Sequence, residues 1–409
     1  MALATAKRPP TQPATGRAVA LNGAMLVAHA MRQVHPDVVA CYPITPQTII
    51  TETFSEFVAN GEVQTEFVAV ESEHAALSVC IGAAAAGARA QTATSGPGLA
   101  LMWELLYVAS GCRLPIVLHL CTRAFNAPLN ILCDHSDAMG AREASWPILF
   151  GEDGQEAYDN AIQAVRIAEH LDVLLPVMST QDGFTITHGI ERAEVLPDEA
   201  VREFVGEYHP NRPLLDVAHP MTYGPWDYHD FYFEHKRQQA DAMEKALGVI
   251  EAVGQEFGRL SGRSYGLVQP YRLEDADLVV VVLGSAAGTL RTVVDEQRSH
   301  GVKAGLLKVR AFRPFPIKAV AQALARAKAV AVLDRSMAYG APACALFQDV
   351  CVSLALHGGG PRLVNYVYGL GGRDTLPDQF RRVFDDLKQI AAGASAQPVV
   401  RYLGLRDGQ

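Results

Sequence analysis

The sequence predicts an α/β protein built from two doubly wound parallel-sheet domains, and three observations carry that prediction. Helical and strand-like patterns alternate from about residue 19 to 177, the alternation stops between 203 and 265, and it resumes from 266. Such alternation places parallel strands side by side with helices on both faces. The expected boundaries are a disordered tail at 1–18, a first domain at 19–202, a connector at 203–265, a second domain at 266–392 and a C-terminal tail at 393–409.

In the first domain, apolar residues at helical spacing predict a helix over 22–33, and the β-branched start of 38–42 predicts a strand. Residues 46–58 open on Pro46 and continue with a helical stripe, and the short apolar run 67–70 reads as a second strand. The Ala- and Gly-rich stretch 75–87 is a helix that lets another group approach closely. A strand at 90–93, a helix at 98–109 and an apolar strand at 116–120 complete the pattern. Pro, His and aromatic residues crowd the connector, which ends in one long amphipathic helix over 231–257. The second domain then reads as strand 277–283, helix 288–300, strand 303–309, helix 317–327 and strand 329–334. It continues through 340–356, 363–368 and 379–390.

Composition limits function. The 409 residues are 49% hydrophobic and 19% charged, which describes a globular chain long enough for two domains. A net charge of −9 without a basic stripe argues against nucleic acid as a partner. Apolar runs such as 278–283 fall far short of the ~20 residues that cross a bilayer. The opening 16 residues lack the apolar core of a signal peptide, so a cytoplasmic protein is expected. Seven cysteines are scattered without a C-x-x-C pair and read as core thiols. No metal site is expected on this chain, and any iron–sulfur cluster would sit on another.

Three segments stand out for chemistry. Tyr42-Pro43-Ile44-Thr45-Pro46 presents a hydroxyl at a strand end. Glu71-Ser72-Glu73-His74-Ala75-Ala76 places a carboxylate at a helix start, where the helix dipole alone accounts for an acid. An interior Glu73 would call for a proton donor or a basic nitrogen. Glu71 is expected to point the other way if the strand persists to it. The third segment is Ala93-Thr94-Ser95-Gly96-Pro97-Gly98, whose serine lacks the Gly-x-Ser-x-Gly frame of a hydrolase elbow. Asp134, His135 and Asp137 are too nearly consecutive to face one metal ion. Gly284-Ser285-Ala286-Ala287-Gly288 follows a strand and suits either a phosphate or close strand-to-helix packing.

The second and third segments together resemble the pyrimidine-binding domain of thiamine diphosphate enzymes. Adding the first segment, Cys121-Thr122-Arg123-Ala124, Cys133-Asp134-His135-Ser136-Asp137 and Tyr368-Gly369-Leu370-Gly371-Gly372-Arg373-Asp374, the chain resembles the α subunit of a 2-oxoacid:ferredoxin oxidoreductase of the pyruvate type. The resemblance covers residues 21 to about 387. It implies that Glu73 is catalytic and bonds N1′ of the aminopyrimidine, favouring the tautomer that activates the thiazolium. Pro43, Ile44, Ser95 and Gly96 are then cofactor-binding, Thr45 and Arg123 bind the 2-oxoacid, and Phe125 and Asn126 line its side-chain pocket.

The resemblance further implies a second domain similar to the C-terminal domain of transketolases, serving assembly more than chemistry. This chain lacks the Gly-Asp-Gly…Asn motif that fixes Mg²⁺ and diphosphate. Thiamine diphosphate would therefore be shared with a β subunit carrying Mg²⁺. Clusters of the [4Fe-4S] type would lie on partner subunits, the proximal one on β; the further partners are a γ subunit and a ferredoxin-like δ subunit or their equivalents, with a flavin or NAD subunit in some relatives. Coenzyme A is the expected co-substrate. Pyruvate, branched-chain and aromatic 2-oxoacids such as phenylglyoxylate are the expected substrates, and ferredoxin or NAD the acceptor; the alternatives are another thiamine diphosphate enzyme half, transketolase-like or a dehydrogenase E1, and a non-catalytic scaffold subunit.

Overall fold

A computed structural model describes residues 14–406; residues 1–13 of the expected tail, and 407–409, lie outside it. The N-terminal boundary shifts, because residues 17 and 18 already belong to β1 (Arg17–Asn22). Helix α1 (Gly23–Val34) follows, capped by Asn22, whose side chain accepts the Met25 N–H at 2.8 Å. Next come β2 (Val38–Cys41), α2 (Thr48–Ala59), β3 (Glu66–Ala69), α3 (Glu73–Ala86) and β4 (Ala90–Thr94). The helix expected over 98–109 is two, α4 (Gly96–Leu101) and α5 (Trp103–Gly111). They break at Met102, whose N–H is shared between the Gly98 and Leu99 carbonyls at 3.1 Å each.

Strand β5 (Val117–Thr122) leads to α6 (Ser136–Ala141), β6 (Ile148–Phe150), α7 (Gly154–Glu169), β7 (Val177–Asp182), β8 (Ile190–Val195) and α8 (Asp198–Val205). The connector's long helix is α9 (Tyr232–Ser261), which buries Ala242, Ala246, Val249, Ile250, Val253 and Phe257 in the core of the first sheet. The second half comprises β9 (Val268–Tyr271), β10 (Leu278–Val282), α10 (Ala286–Ser299), β11 (Ala304–Val309), β12 (Ala311–Arg313), α11 (Ile317–Leu324) and β13 (Ala329–Asp334). It closes with α12 (Ala345–Leu356), β14 (Arg362–Tyr368), a 3-10 turn at Leu370–Gly372, α13 (Pro377–Ala391) and β15 (Val400–Leu403).

The first sheet runs β12-β6-β7-β5-β4-β2-β3 and the second β15-β14-β13-β10-β11-β9, while β1 and β8 form an antiparallel pair of their own. Helices cover both faces, and the central strands are buried throughout; all five residues of the apolar β10 and all five of the more polar β4 are buried. Both sheets are parallel as expected, except for one antiparallel strand at an edge of each. Strand β9 pairs antiparallel with β11, and β12 leaves the second half to pair antiparallel with β6. The segment expected as a C-terminal tail contains β15, which pairs parallel with β14 through Asn365 to Tyr368. The halves share one core, in which Trp146, Ile148 and Phe150 cluster with Leu307, Val309 and Phe312.

Candidate active site

Every catalytic and binding residue expected from the sequence lies just beyond the carboxyl end of a parallel strand of the first sheet. Thr45 follows β2, Glu73 follows β3, Ser95 and Gly96 follow β4, and Arg123 follows β5. The chain steps outward from β2 to β3 and then crosses back to β4 on the other side of β2. Such a reversal opens the crevice in which open α/β sheets hold ligands.

Glu73 is the first residue of α3, whose N-cap Ser72 accepts the Ala75 N–H at 3.2 Å. The strand β3 has ended at Ala69, so strand alternation does not decide where Glu71 points; it is simply exposed. The Glu73 side chain is 6% exposed and makes no hydrogen bond or ion pair among the described residues. A buried carboxylate left alone is costly, and the α3 dipole offsets only part of that cost. Beside it, the fully buried Thr94 and Ser95 hydroxyls also lack partners. Gly98 closes the group, because a Cβ there would lie 2.7 Å from Glu73 Oε1 and 2.5 Å from Thr94 Oγ1.

Arg123 is 6% exposed, and its guanidinium is held from three directions. Its Nη1 donates to the Thr45 carbonyl at 3.0 Å, Nε to the Asn130 carbonyl at 3.2 Å and Nη2 to Asn126 Oδ1 at 3.4 Å. Of the five N–H donors of a guanidinium, two remain, one on each terminal nitrogen. That pair matches the two oxygens of a carboxylate. Burial lowers the Arg123 pKa from the ordinary arginine value, and the Asp137 charge opposes the shift. Thr45 is exposed with its hydroxyl unbonded among the described residues; Pro43 is exposed and Ile44 half-buried.

Asp137 joins the two groups. Its Oδ2 accepts the Gly96 N–H at 2.9 Å and the Arg123 N–H at 3.0 Å, and its Oδ1 accepts the Ala138 N–H at 2.8 Å. Burial pushes its carboxyl up to about 8, against the pull of those three bonds. Gly96, at φ +42°, leaves room for the Arg123 stem, which a Cβ would meet at 3.2 Å. One short turn, Gly96 to Gly98, therefore touches the arginine at one end and the glutamate at the other.

The chain is similar to known proteins along most of its length. A family profile described as pyruvate flavodoxin/ferredoxin oxidoreductase, thiamine diphosphate-binding, matches residues 29–255, and one described as pyruvate:ferredoxin oxidoreductase core domain II matches 276–380. A pyruvate synthase subunit PorA from Thermotoga maritima is 54% identical over 95% of this chain and 98% of its own length. The chain belongs to the pyruvate flavodoxin/ferredoxin oxidoreductase family. The PorA subunit of Methanocaldococcus jannaschii is 45% identical over 90% of this chain and 94% of its own. A ketoisovalerate oxidoreductase subunit VorA from Pyrococcus abyssi is 38% identical over 94% and 97%.

Two solved structures share the fold. A 2-oxoglutarate:ferredoxin oxidoreductase from Magnetococcus marinus aligns with TM-score 0.71 at 18% identity, over 90% of this chain and 65% of that one. A split-gene transketolase, an inactive β4 tetramer, aligns with TM-score 0.51 at 11% identity over 92% and 98%.

The residues present fit the aminopyrimidine of thiamine diphosphate: an unpartnered buried carboxylate, two orphaned hydroxyls and a glycine without which the carboxylate would be crowded. Asp134, His135 and Asp137 turn to different partners and do not converge on one point. Asp134 accepts the Ser136 N–H at 2.9 Å and the Gly371 N–H at 3.3 Å, away from Asp137. His135 instead meets Asp182, at the end of β7, with Nε2 2.8 Å from Oδ1. Cys133, His135 and Asp182 bring possible ligand atoms within 4.8 Å of one another. Asp182 is already occupied, however, accepting from Arg335 Nη1 at 3.0 Å, Ser285 N at 3.1 Å and Ser285 Oγ at 2.6 Å. Burial alone would raise the Asp182 pKa, but His135 and Arg335 outweigh it and hold the carboxyl well below the usual carboxylate range.

The Gly284–Ser285 turn, which suited a phosphate by sequence, thus receives the carboxylate of Asp182. Gly284 has φ +67°, and a Cβ there would lie 2.8 Å from Asp182 Oδ1. Sequence reasoning missed Asp182 and Arg335 as neighbours of the site, because the contacts joining them span more than a hundred residues, and Asn130, because it acts through its backbone carbonyl, which carries no residue-type signal. The alternation that places β7 was the available signal, since a polar residue ending a buried strand sits at the crevice.

Proposed function

We propose that this chain is the α subunit of a multi-subunit enzyme that converts pyruvate and coenzyme A to acetyl-CoA, CO₂, a proton and two electrons. The electrons leave through iron–sulfur clusters on partner chains, with ferredoxin as the acceptor. Family membership and the names of the most similar relatives support pyruvate as substrate. The observation that carries the reading is Glu73: a buried carboxylate at a helix start, unpartnered, joined through one short turn to an arginine with two free N–H donors.

Thiamine diphosphate, when bound, supplies the carbanion chemistry that releases CO₂ from a 2-oxoacid. Glu73 would hold a proton at N1′ of its aminopyrimidine, with Thr94 and Ser95 offering hydroxyls beside it. Pro43, Ile44 and Gly96 would form the pocket walls. Arg123 binds the substrate carboxylate through its two uncommitted N–H groups, and the Thr45 hydroxyl steadies a substrate oxygen. This is orientation rather than proton transfer, and fixing a reactant in attack geometry is a large part of catalysis. Phe125, 40% exposed, and Asn126, on the guanidinium, border the place a substrate side chain would take. Diphosphate, Mg²⁺ and the clusters are assigned to β, γ and δ partner chains.

The test is CoA-dependent viologen reduction by the complex co-purified through a tag on this chain, with pyruvate, ketoisovalerate, 2-oxoglutarate and phenylglyoxylate compared. Pyruvate is expected to give the highest kcat/KM. Activity confined to another 2-oxoacid would correct the substrate, and no activity from a complex replete in thiamine diphosphate and iron would remove the enzymatic reading. Replacing viologen by ferredoxin or by NAD then names the acceptor.

A further inference from the structure

We infer that the glycine turn of the second domain, Gly369–Gly372, is a positioning element for the substrate arginine of the first. This inference rests on the assignment of Arg123 as carboxylate clamp, and it gives the second domain a part in catalysis beyond assembly. The connection is short. Arg123 Nε donates to the Asn130 carbonyl at 3.2 Å. The Asn130 side chain is fixed at both ends: Nδ2 donates to the Gly371 carbonyl at 3.1 Å, and Oδ1 accepts the Leu132 N–H at 2.7 Å. Two further bonds seat the turn on the same loop, Gly371 N–H to Asp134 Oδ2 at 3.3 Å and Gly372 N–H to the Cys133 carbonyl at 2.6 Å. Behind it, the Gly369 carbonyl accepts Arg335 Nε at 3.2 Å, and Arg335 also bonds Asp182.

The glycines follow from this seating. Gly369, Gly371 and Gly372 have φ of +61°, +56° and +76°, the left-handed region that side chains disfavour. A Cβ on Gly371 would collide with Asn130 Nδ2, and one on Gly372 with the Leu132 side chain. The segment carrying Asn130 is otherwise exposed, with Leu129 at 75% and Ile131 at 42%, so few contacts besides the turn hold it. Arg123 itself is buried and also bonded to Thr45 and Asn126, but the Asn130 carbonyl that meets its Nε lies on this open segment, and the second domain ties that segment down.

Three variants of the intact complex test the inference, with KM for pyruvate, kcat and the thiamine diphosphate dissociation constant measured on each. Arg123→Ala reports on the clamp itself. Gly371→Ala pushes Asn130 aside, and Asn130→Asp keeps its shape while setting an oxygen against the Gly371 carbonyl. If the turn positions Arg123, both raise KM about five- to tenfold, the scale of one lost hydrogen bond. They lower kcat less than KM rises and leave cofactor affinity within about twofold. If Gly371→Ala does not assemble, Asn130→Asp decides. Unchanged KM in Asn130→Asp, with a raised KM in Arg123→Ala, overturns the inference and leaves the clamp standing. Unchanged KM in Arg123→Ala overturns the clamp, and the inference with it. A loss of cofactor affinity parallel to the rise in KM marks general disruption and also overturns it.

Discussion

Glu73 is the residue where stability and chemistry oppose each other most sharply. Its carboxylate is buried without a partner, so neutral Glu73→Gln removes an uncompensated charge. The expected outcome is a higher melting temperature for the cofactor-free protein, measured by calorimetry, with turnover lost. An unchanged or lower melting temperature would show that the charge is met by a group other than the cofactor. Asp137 gives a pH prediction. Its folded pKa of about 8 lies above the ordinary 3.8, so the folded state holds the proton more tightly than the unfolded one. That contribution to stability is complete below about pH 4 and is lost as pH rises through 8. Asp137→Asn therefore flattens the fall in urea midpoint between pH 5 and 9, and an unaltered slope would contradict the assignment. Glu73, Thr45 and Arg123 were legible because each sits in a short local motif at a strand end. Asp137 was legible only as a loop acid, since its role depends on Gly96, 41 residues away.

Elements carry two predictions in which packing overrides propensity. Alanine normally exceeds glycine in a helix by about 1 kcal/mol. In α9, however, a Cβ on Gly254 would overlap the Tyr265 carbonyl, so Gly254→Ala should lower stability, read as a reduced denaturant midpoint. In α4, Gly98→Ala places a methyl 2.7 Å from Glu73 Oε1. Thiamine diphosphate affinity should fall at least tenfold on titration, while secondary structure by circular dichroism stays the same. The long elements were legible by period: α9 and the apolar strand β10 emerged close to their expected bounds. Missed elements were short or held from afar. Strand β12 has three residues and pairs with β6 across more than 150 positions, and β8 exists only because β1 lies against it.

At the scale of the molecule, the two halves are joined by a shared apolar core and, beside it, by buried polar contacts. Lys308, 1% exposed, donates to Glu152 at 2.7 Å and also bonds Glu156, while Arg310 donates to Asn160 and Gln163 at 2.9 Å each. Asp182 adds the bonds to His135, Arg335 and Ser285 directly beneath the site. Removing one partner of a buried ion pair costs about 3–5 kcal/mol, so Asp182→Asn should split one unfolding transition into two or lower its midpoint sharply. A single, unshifted transition would show that the halves do not depend on this contact. The two-domain α/β plan was legible, but this interface was not, since periodicity reports which face is buried and not what buries it. Under the proposed function, Glu73 serves the proton chemistry of a pyruvate-oxidising complex. The most direct test of that role is the pyruvate- and CoA-dependent rate of viologen reduction by the assembled complex carrying Glu73→Gln, at saturating thiamine diphosphate. A loss of at least about 10²-fold is expected, the lower bound for a positioned acid–base group, with subunit composition unchanged. A wild-type rate from that complex would contradict it.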